Sequence, residues 1–324
     1  MNVEILVGDC RKRIAEIPDK TVHCCITSPP YFGLRDYGHD GQIGLEQTPD
    51  LFVSELVSVF REIRRTLRDD GTLWLNLGDS YASMRDSKAT PDTLRGDSDG
   101  TLVASGKAAN RNPANLRAAG LKHKDLIGIP WRVAFALQAD GWYLRQDIIW
   151  HKPNPMPESV RDRCTKAHEY IFLLAKSEKY FFDADAIKEP SKSKSEGVRF
   201  GGNKYGDNDD PKYATKSGKM SKEYEMANKR SVWTVTTKPF RGAHFATFPP
   251  DLIHPCILAG CPAGGTVLDP FGGSGTTGFV ANNAGRNVIL CELNPEYAEI
   301  ARARITDECG ALANIKINTE SSNA

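Results

Sequence analysis

Short apolar runs alternate with helical patterns over the first part of the chain. Residues 3–7 and 22–27 are almost entirely apolar and end at turn-forming residues, which predicts two buried strands. Residues 11–17 fit one short helix, and residues 51–67 place apolar side chains at the spacing of a longer one. A further apolar run at residues 71–77 predicts a third strand. This order of elements indicates an α/β fold with a mainly parallel sheet.

The alternation resumes further along the chain. Residues 129–139 fit a helix and residues 143–150 a strand. Two apolar stretches, 170–175 and 180–182, flank a Lys-Ser-Glu-Lys turn, so we expect them to pair as a hairpin. Regular α/β structure is expected again from residue 248 to about residue 305.

Two polar segments interrupt this pattern. Residues 83–122 are rich in Ser, Asp, Gly, Asn and Arg, and we interpret them as a flexible loop, because long loops are usually functional or disordered. Residues 187–230 carry a cluster of lysines and arginines. This second segment fits either a solvated insertion or a surface that faces nucleic acid.

Composition adds little beyond the class of protein. The chain has 324 residues, of which 40% are hydrophobic and 26% charged, as in ordinary globular proteins. The net charge of +1 does not by itself favour nucleic acid, although basic residues gathered on one face would not change it. The eight cysteines form no C-x-x-C pair, so no metal site is expected. Without a signal peptide or an apolar run of membrane length, we expect a cytoplasmic protein.

A glycine-rich turn near the C-terminus predicts a nucleoside site. A predicted strand ends in Asp269, the turn covers residues 271–275, and a helix follows at 276–284. The next strand ends at Glu292, and a carboxylate about 20 residues beyond such a turn can accept hydrogen bonds from a ribose diol. The spacing is not that of a dinucleotide loop, and a purely structural glycine turn remains the alternative.

A second motif follows the strand at residues 22–27. Ser28, Pro29, Pro30 and Tyr31 stand where a parallel strand ends, the edge at which α/β sheets bind ligands. An amine on a heteroaromatic ring is a poor nucleophile, and two acceptors, the Ser28 hydroxyl and the Pro29 carbonyl, would draw its N–H bonds out of the ring plane. The prolines stiffen the loop, and Tyr31 offers a face for a stacked base. An ordinary Pro-Pro turn with a surface tyrosine is the alternative.

Together these motifs resemble those of the amino-methylating DNA methyltransferases. Thr-Ser-Pro-Pro-Tyr at 27–31 is similar to the family's catalytic motif, and Asp-Pro-Phe-Gly-Gly-Ser-Gly-Thr-Thr at 269–277 to its S-adenosylmethionine motif. The resemblance implies a Rossmann-like methyltransferase fold with a mostly parallel twisted sheet. It also implies S-adenosylmethionine as cofactor, double-stranded DNA as partner and extrusion of the target base.

The resemblance also implies roles for individual residues. Asp9 would meet the cofactor's adenine amine, and Glu292 would hold the ribose. The other residues expected around the cofactor are Thr27, His244, Phe245, Thr247, Asp269, Phe271, Gly273, Gly275 and Thr276. The residues expected near the target base, besides the catalytic Ser28, Pro29, Pro30 and Tyr31, are Trp150, His151 and Lys152.

The order of the motifs is informative, because the catalytic motif comes first and the cofactor motif last. This circularly permuted order resembles the subgroup called beta, which carries a small inserted target-recognition region where residues 187–232 lie. It predicts that the strand before Asp9 lies beside the strand ending in Glu292. The expected division of the chain is 1–82 and 123–186 for the catalytic half, 83–122 for the polar loop, 187–232 for target recognition, 233–317 for the cofactor half and 318–324 for a tail.

Ser28 favours N4 of cytosine over N6 of adenine in this family, and the adenine amine remains the alternative. A cytosine-C5 enzyme needs a nucleophilic cysteine after a proline, and the context of Cys256 does not match one. Two other classes remain as alternatives: a methyltransferase that acts on RNA or on a protein glutamine, and a non-catalytic DNA-binding protein. The resemblance further suggests a cognate restriction endonuclease as a partner and leaves a monomer or a dimer open.

Overall fold

The computed structural model describes residues 1–34, 36, 38–39, 41–83, 113–191, 226–237, 248–310 and 314–319. Contacts divide the chain into two compact units, Met1–Asp183 with Arg230–Ala324, and Ala184–Lys229. Among the described helices, none combines the length and apolar character that a membrane span requires.

The first unit is built on a nine-stranded sheet. Its strands are β1 (Asn2–Val7), β2 (Val22–Thr27), β3 (Leu67–Leu77), β4 (Tyr143–His151), β5 (His168–Ala175), β8 (Val232–Thr234), β9 (Thr266–Asp269), β10 (Asn287–Glu292) and β11 (Asn314–Asn318). They are arranged in the order β11-β1-β10-β9-β2-β3-β5-β4-β8. Within the described part of this sheet, only the pairings of β5 with β3 and β4 are antiparallel. The predicted α/β fold with a mostly parallel sheet is confirmed.

Helices cover both faces of this sheet. They are α1 (Cys10–Ala15), α2 (Pro49–Thr66), α3 (Pro113–Ala118), α4 (Ile129–Ala139), α5 (Pro250–Gly260), α6 (Thr276–Asn283) and α7 (Pro295–Cys309). Side chains of α1, α2 and α4 share one apolar core with Leu73 and Leu75 of β3. Trp74 points to the opposite face, where Gly260 of α5 lies so close that a Cβ would come within 2.4 Å of the indole nitrogen.

The two ends of the chain meet in the sheet. β1 lies between β10 and β11 and pairs with both in parallel, and Val7 stands opposite Glu292. This arrangement matches the prediction that the strand before Asp9 adjoins the strand ending in Glu292. The strand β11 was not predicted, since its five residues alternate between partly buried and exposed positions and form no apolar run.

The predicted hairpin of residues 170–175 with 180–182 is wrong. Both edges of β5 are already occupied, because Ala175 pairs with Thr72 of β3 on one side and with Tyr143 of β4 on the other. Residues 180–182 form no strand, and the Phe181 N–H instead donates to the Asp70 carbonyl at 2.9 Å.

The second unit contains a short 3₁₀ helix at Asp185–Ile187 and an antiparallel pair of two-residue strands, β6 (Glu189–Pro190) and β7 (Met226–Ala227). The predicted target-recognition range of 187–232 overlaps this unit. The last residue of that range, Val232, begins β8, which pairs with β4 in the main sheet. Part of the predicted polar loop, residues 84–112, lies outside the described residues, and α3 falls near the loop's end.

Candidate active site

A cavity of about 790 Å³ lies at the carboxyl ends of the parallel strands. Its volume is within the range of roughly 300–1,000 Å³ that is usual for ligand and cofactor sites. It brings together most of the residues predicted for the site, namely Asp9, Ser28, Pro29, Pro30, Tyr31, Trp150, Lys152, Phe271, Gly273 and Glu292. The catalytic and cofactor motifs therefore face one space, although they stand at opposite ends of the chain.

Glu292 lines the cavity at the end of β10. One carboxylate oxygen accepts a hydrogen bond from the Gly273 N–H at 2.7 Å, and the other accepts one from the Asn294 N–H at 2.9 Å. Burial raises the pKa of Glu292 to about 7, because these two bonds only partly replace the water that the charged form loses. Each oxygen keeps a lone pair, so the carboxylate can still bind a diol.

Asp9 lines the same cavity at the end of β1. Its carboxylate caps α1 by accepting the Arg11 N–H at 2.9 Å, and it also binds the Arg11 guanidinium. Burial would raise the pKa of Asp9, but the bonds from Arg11 outweigh this effect and the pKa is lowered. Arg11 also donates to Glu55 and to the Gly41 carbonyl, so the loop around Gly41 is tied to Asp9. Sequence reasoning did not single out Arg11.

Asp269 and Thr27 lie beneath the cavity and do not line it. The Thr27 hydroxyl donates to one oxygen of Asp269 at 2.6 Å, and the Thr277 hydroxyl donates to the other at 2.6 Å. The Phe271 N–H adds a third bond at 3.1 Å. Burial raises the pKa of Asp269, and these three bonds oppose the rise. The carboxylate thus joins the end of the catalytic strand to the cofactor turn.

Gly275 and Thr276, also predicted for the cofactor, are packed against α7. Gly275 has φ +76°, and a Cβ on it would lie 2.9 Å from the Ala301 Cβ, so the glycine serves close packing. The Thr276 hydroxyl accepts from the Arg304 guanidinium at 2.9 Å, and the same guanidinium nitrogen donates to Ser274 at 2.8 Å. Arg304 therefore anchors the glycine-rich turn to α7 through Ser274 and Thr276.

The Ser28–Tyr31 loop is fixed by close backbone contacts. The Tyr31 ring lies against Gly78, where a Cβ would come within 2.6 Å of the ring. Gly44 similarly lies against the Tyr31 carbonyl, at 3.2 Å from where its Cβ would be. A Cβ at Gly78 would clash with the Tyr31 ring and one at Gly44 would crowd the Tyr31 carbonyl, so the two glycines let the loop pack closely beside the cavity.

Sequence reasoning missed several polar residues that line the cavity, among them Asn76, Asp79, Lys166 and Glu169. Glu169 directly precedes the apolar run of β5 and belongs to no recognisable motif, yet it accepts the Tyr31 hydroxyl at 2.6 Å. Asp79 accepts N–H groups from Gly128 and Ile129 and so caps α4. The position of Asn76 next to the predicted strand end could have suggested it.

Of the three residues predicted for the base pocket outside the catalytic motif, two line the cavity and one does not. Trp150 and Lys152 line the cavity, and the Lys152 ammonium lies 4.2 Å from the centre of the Trp150 ring. His151 alternates to the other face of β4, where its Nδ1 is 3.1 Å from the Thr234 hydroxyl. His244, Phe245 and Thr247 fall outside the described residues.

Comparison with known proteins agrees with this geometry. A model of the N6/N4 methyltransferase family, described as DNA methylase, matches residues 22–303. The chain belongs to this family. It is 48% identical over 302 residues to the Type II methyltransferase M.SmaI of Serratia marcescens, covering 93% of this chain and 90% of that protein. It is 47% identical over 307 residues to M.Cfr9I of Citrobacter freundii, covering 93% and 87%.

Solved structures share the fold of this N6/N4 methylase. The cytosine-N4-specific PvuII DNA methyltransferase superposes with a TM-score of 0.61 at 16% identity, covering 98% of this chain and 94% of that one. A putative DNA modification methylase of Thermus thermophilus, solved with S-adenosyl-L-methionine, gives a TM-score of 0.58 at 23% identity, covering 97% and 99%. The predicted family and Rossmann-like fold are therefore confirmed, and the protein is a DNA methyltransferase that acts on exocyclic amines.

Proposed function

We propose that this protein transfers the methyl group of S-adenosylmethionine to N4 of a cytosine within a specific sequence of double-stranded DNA. The observation that carries the proposal is the shared cavity, in which Ser28 and Pro29 face the same space as Gly273 and Glu292. Support for cytosine comes from Ser28, and from the cytosine-N4-specific enzyme among the proteins of the same fold.

The cavity residues suit S-adenosylmethionine. Glu292 presents a carboxylate whose two oxygens can accept a ribose diol, and Asp9 stands at the end of the neighbouring strand to accept an adenine amine. Phe271 and Gly273 supply an apolar face and an approach without a side chain. When bound, the cofactor supplies an electrophilic methyl group to the cavity.

The rest of the reaction depends on orientation of the base amine. The Ser28 hydroxyl and the Pro29 carbonyl accept its two N–H groups, which frees the nitrogen lone pair from the ring. Tyr31 lies beside them and stacks on the extruded base. The loop packs closely against Gly44 and Gly78, which favours acceptors that are already oriented before the reaction.

Transfer of label from the cofactor to DNA, followed by digestion to nucleosides, tests the proposal. The expected product is N4-methylcytosine, and Ser28→Ala is expected to lower turnover strongly while cofactor affinity stays nearly constant. Label in N6-methyladenine would overturn the choice of base and favour the adenine alternative. Absence of transfer to DNA, with RNA or protein labelled instead, would overturn the proposal that DNA is the substrate.

The two similar proteins are Type II methyltransferases. By extension, we propose that the present protein protects a recognition sequence from a cognate restriction endonuclease. Sequencing the methylated positions of a host that expresses the protein identifies the site. Resistance of that host's DNA to endonucleases that cut the same sequence is the expected result.

A further inference from the structure

We propose that Arg11 is a positioning residue for the cofactor, which orients the Asp9 carboxylate so that one acceptor is left for the adenine amine of S-adenosylmethionine. The inference rests on the proposed function, because it deepens the assignment of Asp9 to the cofactor. It adds a residue of α1 that belongs to neither the catalytic motif nor the cofactor motif.

Arg11 directs three N–H groups at the Asp9 carboxylate. Its backbone N–H donates to Oδ1 at 2.9 Å. Its Nε donates to Oδ1 at 2.9 Å and to Oδ2 at 3.0 Å, and its Nη2 donates to Oδ2. An ionised carboxylate has roughly four acceptor sites. The three donors of Arg11 therefore leave one site, on Oδ2, for a further N–H group.

The Arg11 guanidinium is itself held by two other elements. Nη1 donates to the Glu55 carboxylate of α2, and Nη2 donates to the Gly41 carbonyl at 2.7 Å. A Cβ at Gly41 would lie 3.2 Å from Nη2 and 3.6 Å from Oδ2 of Asp9, so the loop backbone packs closely on this pair. Because the planar guanidinium presents its donors in a fixed fork, these contacts determine how it faces Asp9.

A carboxylate held in this way suits the recognition of an amine. Asp9 and Gly41 both line the cavity, whereas Arg11 does not, so Arg11 acts on the cofactor through Asp9. An adenine amine carries two N–H groups, one of which can use the remaining acceptor site. Because Asp9 is oriented before the cofactor arrives, little side-chain freedom is lost on binding. Arg11 thereby contributes to cofactor affinity without touching the cofactor.

Arg11→Met removes the guanidinium and leaves Asp9 only the backbone N–H donor, so the carboxylate can turn. We expect the dissociation constant of S-adenosylhomocysteine, measured by calorimetry, to rise roughly tenfold. The single-turnover rate of methylation at saturating cofactor and DNA should stay within about twofold of the wild type, because the reacting groups are unchanged. Lys12→Met, which removes the same charge from the exposed neighbouring position of α1, is the matched control and should bind as the wild type does.

An analogue of S-adenosylhomocysteine with hydrogen in place of the adenine amine separates this role from a structural one. A site built to bond an amine rejects a ligand that lacks it, and a hydrogen bond to a charged group supports a ratio of about 30-fold. The wild type and Lys12→Met should prefer S-adenosylhomocysteine by about this factor, and Arg11→Met by less than about threefold. A general loosening of the site would weaken both ligands alike and leave the ratio unchanged.

A double-mutant cycle with Asp9→Asn tests the route through Asp9. Asp9→Asn removes one of the two oxygens that the guanidinium binds, so Arg11→Met should cost less than about threefold more in that background. Additive losses in the cycle, or an unchanged ratio in Arg11→Met, would overturn the inference.

Melting temperatures identify a variant that does not fold. Arg11→Lys then provides a second test, because a compact ammonium keeps the charge but not the two-nitrogen contact with Asp9. Its ratio should lie between those of the wild type and a protein without the amine contact, and a wild-type ratio would count against the inference. If the wild type itself does not distinguish the two ligands, the assignment of Asp9 to adenine fails and the inference fails with it. If the ratios are as expected but no DNA is methylated, the proposed function fails and the role of Arg11 stands.

Discussion

Cofactor binding should depend on pH through Glu292. Its carboxyl has a pKa of about 7 in the free protein, because burial disfavours the charged form. A ribose diol donates hydrogen bonds to the carboxylate and therefore favours the ionised form. The cofactor should bind mainly to the ionised protein, so its dissociation constant should rise as the pH falls below 7.

The magnitude follows from the fraction of protein that is ionised. With a pKa of about 7, Glu292 is roughly 9% ionised at pH 6 and about 91% ionised at pH 8. The dissociation constant of S-adenosylmethionine should therefore be about tenfold larger at pH 6 than at pH 8, which corresponds to about 1.4 kcal/mol. Isothermal calorimetry at several pH values measures this ratio, and binding near pH 6.5 should release protons to the buffer.

The stability of the free protein should change in the opposite direction. The folded-state pKa of Glu292 lies above the usual value of 4.5, so its contribution to stability is full below pH 4.5 and is lost as the pH rises through about 7. The stabilisation gained on adding cofactor should accordingly be larger at pH 8 than at pH 6.

The variant Glu292→Gln isolates this effect, since its amide keeps the shape but does not titrate. Its cofactor affinity should be lower than that of the wild type at pH 8 and should lack the tenfold dependence. Ionisation of the cofactor's own amine affects both proteins equally and cancels in the comparison. Glu296→Gln, in the exposed first turn of α7, should behave as wild type. Equal pH slopes for wild type and Glu292→Gln would refute the assignment of Glu292 to the ribose.

Three other changes test the geometry of the site. Gly78→Ala should push the Tyr31 ring away and lower the methylation rate about 10–100-fold with cofactor affinity retained, and a normal single-turnover rate would show that the ring position is unimportant. Thr277→Val should lower the free energy of unfolding by about 1–3 kcal/mol in chemical denaturation, more at high pH than at low pH, because the lost bond favours the ionised form of buried Asp269, whose pKa burial raises. Truncation after Gly310 removes β11 from the edge of β1, so it should lower the melting temperature and weaken cofactor binding through Asp9. Unchanged cofactor affinity would count against a contact between Asp9 and the cofactor.

Local patterns predicted the elements that carry the two motifs. Ser28 and Glu292 each follow a short apolar run with turn residues after it, so both the strand and its polar end are visible in the chain. Asp9 could be placed beside Glu292 because parallel strands present their carboxyl ends at one edge. These inferences use only the order of elements and the direction of a parallel sheet.

Residues whose role depends on register were not predictable in the same way. Glu169 reaches Tyr31 because β5 runs antiparallel and places Glu169 opposite Trp150 of β4. A hairpin with residues 180–182 was expected instead, since a sequence does not show that both edges of β5 are occupied. β11 was missed for a related reason: a short edge strand needs few apolar residues, and its pairing with β1 is visible only in the folded sheet.

The sheet order explains why the permuted order of motifs is compatible with a single site. β2 carries the catalytic loop and is the direct neighbour of β9, which carries the cofactor turn, although about 240 residues separate them. Their ends are joined by the bond from Thr27 to Asp269, and Asp269 also holds Thr277 and Phe271 of the turn. A displacement of either side would remove at least one of the three donors to this buried carboxylate, which is costly. The carboxylate therefore fixes the spacing between the end of β2 and the glycine-rich turn, whichever motif comes first in the chain.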